Sequence, residues 1–117
     1  MAYDEQLAVR IRGRLADEAG LMERKMFGGL AFLVKGNMAV AASGQGGLLV
    51  RVDPAESAEL VARTPATEME MRGRRMAGWL RLDSADVEAD DELSVWVDRG
   101  VSFARSLPPK RKATRMS

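Results

Sequence analysis

Apolar positions recur along the chain with two different periods. In residues 4–19, Leu7, Ile11 and Leu15 fall at i, i+4 and i+8 with Ala8 and Ala19 beside them. Arg10, Arg12, Arg14 and Asp17 lie largely outside that stripe, which is the pattern of an amphipathic helix. Asp4 is placed to cap it and Gly20 to end it, while Gly13 weakens it by about 1 kcal/mol relative to alanine.

From Leu21 to Val52 the period shortens to two. Leu30, Phe32 and Val34 share one face, Met38, Val40 and Ala42 a second set, and Leu48, Val50 and Val52 a third, with Arg51 pointing the other way. Lys35-Gly36-Asn37 is the expected tight turn between the first two, because Gly and Asn tolerate positive φ. Ser43–Gly47 is a looser turn before the third. Three strands with such short loops are antiparallel neighbours.

Asp53-Pro54-Ala55-Glu56 then reads as a helix start, with an acidic cap and proline at the first helical position. That helix is expected to reach about Arg63, to bury Ala58, Val61, Leu60 and Ala62, and to stop at Thr64-Pro65. Glu68–Met71 and Trp79–Leu82 alternate again, joined across Arg72-Gly73-Arg74-Arg75. After a polar connection over 83–90, Leu93, Trp96, Val97, Gly100, Ala104 and Leu107 fall at helical spacing, predicting a helix over 91–107 that Pro108-Pro109 stops. The predicted class is α+β, one antiparallel sheet in the order α-β-β-β-α-β-β-α with helices packed on it.

Composition narrows the chemistry. At 117 residues, 46% apolar and 30% charged, the chain has the balance of one folded domain. It has no cysteine and no histidine. Disulfides, thiolate nucleophiles, imidazole ligands and histidine-dependent hydrolytic triads are therefore excluded, and neither a catalytic set, a cofactor nor a metal is expected. The acidic start Met1–Gln6 lacks a signal-peptide core, and no run approaches the ~20 apolar residues of a membrane span. A cytoplasmic location is the default expectation.

Lys110, Arg111, Lys112 and Arg115 sit in the last eight residues, and setting those four aside takes the net charge from +1 to −3. The expected organisation is a domain over 1–109 and a basic disordered tail over 110–117.

Several motifs acquire meaning together: Met26-Phe27-Gly28-Gly29, Gly36-Asn37-Met38, Leu48–Val52, Gly73-Arg74-Arg75-Met76-Ala77-Gly78-Trp79 and Phe103–Pro108. In that order and spacing the chain resembles the N-terminal domain of the TfoX/Sxy family over about residues 5 to 110, as a stand-alone domain. Phe27, Gly28, Gly29, Gly36, Asn37, Gly78 and Trp79 are its structural markers. The resemblance implies a curved antiparallel sheet similar to that of secretion chaperones. It also implies a regulatory role, since named members regulate competence for DNA uptake alongside the cyclic-AMP receptor protein and carry a second domain. Relatives often have cysteines after the position of Met38; this chain has Ala39, Ala41 and Ala42, so no thiol property carries over.

Each candidate feature has a plain reading and a functional one. Gly28-Gly29 reads as a strand bend or bulge rather than a phosphate loop, because no helix start follows it. Arg72, Arg74 and Arg75, joined by Arg51 if the strands are adjacent, form either a solvated turn or a grip on a carboxylate or phosphate of a partner. Trp79 and Trp96 read as packing residues, since six aromatics are few for a base-stacking platform. Met22, Met26, Met69, Met71 and Met76 read as core filling, with an adaptable interaction surface as the alternative. Asp90, Asp91 and Glu92 suit a helix start rather than a metal. Lys110, Arg111, Lys112 and Arg115 read as a solvating tail, with weak, salt-dependent nucleic-acid affinity as the functional alternative.

The resulting expectation is a non-catalytic regulatory or adaptor protein working through protein contacts. Its partner is an unidentified protein or a second copy paired at a sheet edge. An accessory nucleic-acid binder is the alternative.

Overall fold

The structure, a computed structural model, describes residues 3–26 and 28–108. The elements are α1 (Glu5–Arg14), β1 (Leu21–Met26), β2 (Gly29–Val34), β3 (Asn37–Ala42), β4 (Leu48–Arg51), α2 (Pro54–Arg63), β5 (Thr67–Met71), β6 (Arg74–Leu82), a 3-10 turn (Ser84–Val87) and α3 (Asp90–Ser106). The six strands form one sheet in the order β1-β2-β3-β4-β6-β5, and every neighbouring pair is antiparallel.

This is the α+β arrangement expected, with one strand more. β1 is the addition. Glu23, Arg24 and Lys25 are exposed and only its end residues are partly buried, so it carries no apolar alternation to betray it. An edge strand obtains its order from the backbone of its neighbour, here all six residues of β2, and charged side chains are common on such edges.

The core lies between one face of the sheet and α1 and α3. Leu30, Phe32, Val34, Val40, Ala42, Leu48, Val50, Leu80 and Leu82 line that face, and Leu7, Ile11, Leu93, Trp96, Val97 and Val101 close it from the helices. α3 meets β3 at Gly100, where a side chain would run into the Ala39 carbonyl oxygen.

α1 starts as expected, the Asp4 carboxylate accepting the Leu7 N–H at 3.1 Å. That bond, and a second from the Ser84 hydroxyl, hold the Asp4 carboxyl below its usual range. The helix is shorter than the predicted 4–19, because the chain leaves it at Leu15, whose side chain turns into the core. Ala19 is exposed. α2 has the predicted cap, Asp53 accepting from the Ala55 N–H at 2.9 Å, but buries a different set of residues. Ser57 and Leu60 are buried and Val61 packs against the core, while Ala58 and Ala62 are exposed. Positions i, i+3 and i+4 share the face that rests on the sheet, and the two alanines fall outside it.

Two turns also differ from expectation. The β2–β3 hairpin has a two-residue turn, Lys35 at φ 53° and Gly36 at φ 86°, with Asn37 already paired to Val34. Asn37 is 6% exposed and donates from Nδ2 to the Pro108 carbonyl at 2.9 Å, so it anchors the end of α3 rather than making the turn. Likewise only Arg72 (φ 55°) and Gly73 (φ 79°) make the β5–β6 turn; Arg74 and Arg75 are strand residues.

Candidate interaction face of the sheet

The second face of the sheet carries no helix. Its side chains follow from strand alternation and from two irregularities in register. In β2 all six residues are buried, so Ala31 and Leu33 turn to this face while Leu30 and Phe32 turn to the core. The pairing of β2 with β3 slips between Phe32 and Leu33, leaving Ala39 as an extra residue. That slip puts Met38 opposite Leu33 on the open face, although Val40 and Ala42, its expected companions, belong to the core.

A larger slip shapes β6. Glu68 pairs with Leu80 but Met69 pairs with Met76, so Ala77, Gly78 and Trp79 bulge out of the ladder. Gly78 sits at φ 86°, and a Cβ there would come within 2.9 Å of the Val52 carbonyl oxygen. Its N–H donates to the buried Ser57 Oγ at 3.2 Å, and Ser57 Oγ donates to Glu68 Oε2 at 3.0 Å. The Gly78 carbonyl accepts from the Val52 N–H at 2.8 Å. The bulge is thus tied to α2 and β4, and Trp79 projects onto the open face.

Ser57→Ala should accordingly leave the Gly78 N–H buried without a partner and cost about 1–3 kcal/mol. Urea unfolding would measure it, and a loss below about 0.3 kcal/mol would show the bulge is held by other means.

One cavity of about 230 Å³ spans this face, lined by side chains that include Met26, Met38, Leu49, Met69, Met76 and Trp79. Met26 lies on one edge strand and Met69 on the other, so the sheet curls into a gutter. Ala31, Leu33 and Ala41, its floor, are no more than 6% exposed although no helix covers them. None of the described methionines belongs to the buried core. Core filling, the expectation for Met22, Met26, Met69, Met71 and Met76, is therefore corrected for four of them: Met26, Met69 and Met76 line the gutter and Met22 is 49% exposed, while the Met71 side chain lies outside those described. Trp96 is a core residue as expected, whereas Trp79 is only partly buried and faces the cavity.

Charge on the two faces is segregated. By register, Arg24 lies opposite Ala31, Arg51 opposite Trp79 and Arg74 opposite Met71, and Arg81 lines the cavity itself. The strand carboxylates point the other way. Glu23 takes Arg12 at 2.6 Å, which holds its carboxyl below the usual range; Glu68 takes Ser57, and Glu70 lies 3.8 Å from Arg75. Among the described strand residues, no Asp or Glu occupies an open-face position.

The candidate arginines of the sequence therefore divide. Arg51 stacks over Trp79, 5.1 Å from the ring centre, and over Phe103 at 5.5 Å, and β4 is indeed adjacent to β6. Arg74 belongs to the open face, Arg75 to the opposite one beside Glu70, and Arg72 to the turn. Arg81, missed in the sequence, donates to Gln45 Oε1 at 2.6 Å and the Gly46 carbonyl at 3.0 Å. Met38, Leu49 and Arg24 were missed too. The available signal was the uninterrupted apolar run of β2, which indicates burial on both faces of a strand.

Gly28 (φ 79°) lies in the two-residue connection between Met26 and Gly29, which pair with each other, so it belongs to a hairpin turn and not to the expected strand bend. Gly29 opens β2 where a Cβ would run into the Ala42 carbonyl oxygen. Phe27 and the tail residues Lys110, Arg111, Lys112 and Arg115 lie outside the described residues.

Among the described residues, no group of three or more acidic side chains is placed to hold a metal, and no helix is long and apolar enough to cross a membrane. Comparison with known proteins finds no matching curated protein and no matching solved structure. A family model described as the TfoX N-terminal domain matches residues 13–104, a span running from α1 through α3. The chain belongs to the TfoX N-terminal domain family.

Proposed function

We propose that this protein is a non-catalytic regulatory or adaptor module of the cytoplasm, acting through protein–protein contacts in transcription or competence regulation. Its contact surface is the open face of the sheet, with Arg51 and Arg74 on that face and Arg72 at the adjoining hairpin tip; Arg75 lies outside it. Membership of the TfoX N-terminal family supports the regulatory part of this reading. The observation that carries the contact surface is the methionine-lined gutter, an apolar cavity left uncovered by the protein's own helices. Concave apolar sites are where ligands and partner side chains settle, and unbranched methionine side chains adapt to the shape that fills them.

A photo-crosslinking amino acid placed at Met38, and as a control at the exposed Ala62 of α2, tests the reading in the source cells. A discrete protein adduct is expected from position 38 alone, lost when Met76→Asp puts a charge in the gutter. Equal adducts from both positions, or adducts chiefly to nucleic acid, would remove the proposal. Nucleic-acid binding abolished by deleting residues 110–117 would instead favour the tail-based alternative.

A further inference from the structure

We infer that the gutter receives an amphipathic helix of a partner protein, its apolar side on the methionines and its flanks acidic. The inference rests on the reading of the open face as a protein-contact surface and adds the chemistry of what docks there.

Three features of the face carry it. The first is charge. Arg24 and Arg74 are exposed and, among the described residues, neither has an ion-pair partner, while Arg51 and Arg81 stand on the same face. Among the described strand residues no carboxylate stands on that side, so the charges beside the gutter are arginines, although the chain without its last eight residues carries −3. A complementary occupant is acidic. A second copy docked face to face would oppose arginines to arginines, and the chain's own Lys110, Arg111, Lys112 and Arg115 carry the same sign.

The second feature is the floor. Ala31, Leu33, Ala41, Leu49 and the methionines offer a phosphate backbone no hydrogen bond, and Trp79 is the one aromatic lining the described cavity. Among the described residues of the cavity, base stacking on successive aromatics, which single-strand binders use, has no platform. An apolar helix face fits the floor directly.

The third is backbone accounting. β2, β3, β4 and β6 each have a strand on both sides, and where they pair, as Val40–Ala42 do with Leu48–Val50 and Leu48–Arg51 with Trp79–Leu82, the backbone groups are already used within the sheet. A segment lying in the gutter must satisfy its own backbone, as a helix does. The cavity of about 230 Å³ takes apolar side chains of such a helix, whose backbone rides above the floor.

The probes are two synthetic helical peptides with the same leucine and alanine face, one flanked by glutamate and one by lysine. Calorimetric titration against the full chain at low salt is expected to give at least about tenfold tighter binding of the glutamate peptide. The preference should fall below about threefold in the Arg24→Gln/Arg74→Gln double variant, whose sites are exposed and leave the core untouched, and should shrink in 0.5 M salt on the order of screening at a Debye length of a few Å. Met76→Asp should weaken the glutamate peptide most. Equal affinities, preference for the lysine peptide, or an unchanged preference in the double variant would overturn the inference. So would tighter binding of sodium dodecanoate or of a poly-dT oligonucleotide than of the glutamate peptide. A protein adduct from position 38 together with no acidic preference would sink this inference and leave the proposed function standing, whereas a nucleic-acid adduct would sink both.

Discussion

Trp96→Ala is expected to remove about 3–5 kcal/mol of folding stability, the range for deleting a large buried aromatic. The indole is 2% exposed and lies in the core between α3 and the sheet, with the Arg99 guanidinium 4.7 Å from its ring centre. Domains of this size are stable by only about 5–15 kcal/mol, so the variant should stand at the edge of unfolding. Thermal denaturation should register it as a fall of about 4–8 °C for each kcal/mol. Trp96→Phe, which keeps a ring in the site, should lose clearly less. A loss under about 1 kcal/mol for the alanine variant would mean that α3 is not the principal lid of the core.

Gly100→Leu should be comparably damaging. α3 lies so close to β3 at this point that a Cβ would meet the Ala39 carbonyl oxygen and come within 2.9 Å of Val40 Cγ1. Helix propensity favours replacing a mid-helix glycine by alanine by about 1 kcal/mol. Overpacking against backbone costs about 1–3 kcal/mol for a small intrusion and more for a large one, so the clash prevails even for Gly100→Ala and dominates for leucine, at about 3 kcal/mol or above. Gly13 provides the opposite case. It lies within α1 with no atom near enough to meet a new Cβ, so Gly13→Ala should stabilise by about 0.5–1 kcal/mol. If both alanine variants moved stability in the same direction, the close approach of α3 to β3 would be wrong.

Much of this fold could be read along the chain because its causes are local. Asp4 and Asp53 cap the helices they precede, Thr64-Pro65 ends α2, and the last helix buries Leu93, Trp96, Val97, Gly100 and Ala104 as their spacing requires. The misreadings cluster where the cause is distant. β1 owes its order to β2. Asn37 resembles a turn residue but is held by Pro108, some seventy residues away in sequence. Ala58 and Ala62 are apolar yet exposed, because small apolar residues do not report which side of a helix is covered.

The candidate site was less legible than the fold. Arg74 and Arg75 are neighbours in sequence and sit on opposite faces of β6. Alternation separates them, but which of the two reaches the open face is set by the pairing of β6 with β5, beyond a three-residue bulge that Ser57 of α2 and Val52 hold in place. Met38 carries the same periodicity as Val40 and Ala42, and one unpaired residue in the ladder places it on the other side of the sheet.

The chain's local patterning determined its class, the caps at Asp4 and Asp53, the family motifs and, through the absence of histidine and cysteine, the reactions closed to it. Which face the helices would cover, and therefore which methionines and arginines would be left uncovered, was decided only in the folded sheet. Alternation defines two faces of a strand without ranking them, and register is set by pairing between segments far apart in sequence. An odd slip exchanges the faces, and here a one-residue and a three-residue irregularity assemble the open face of the sheet.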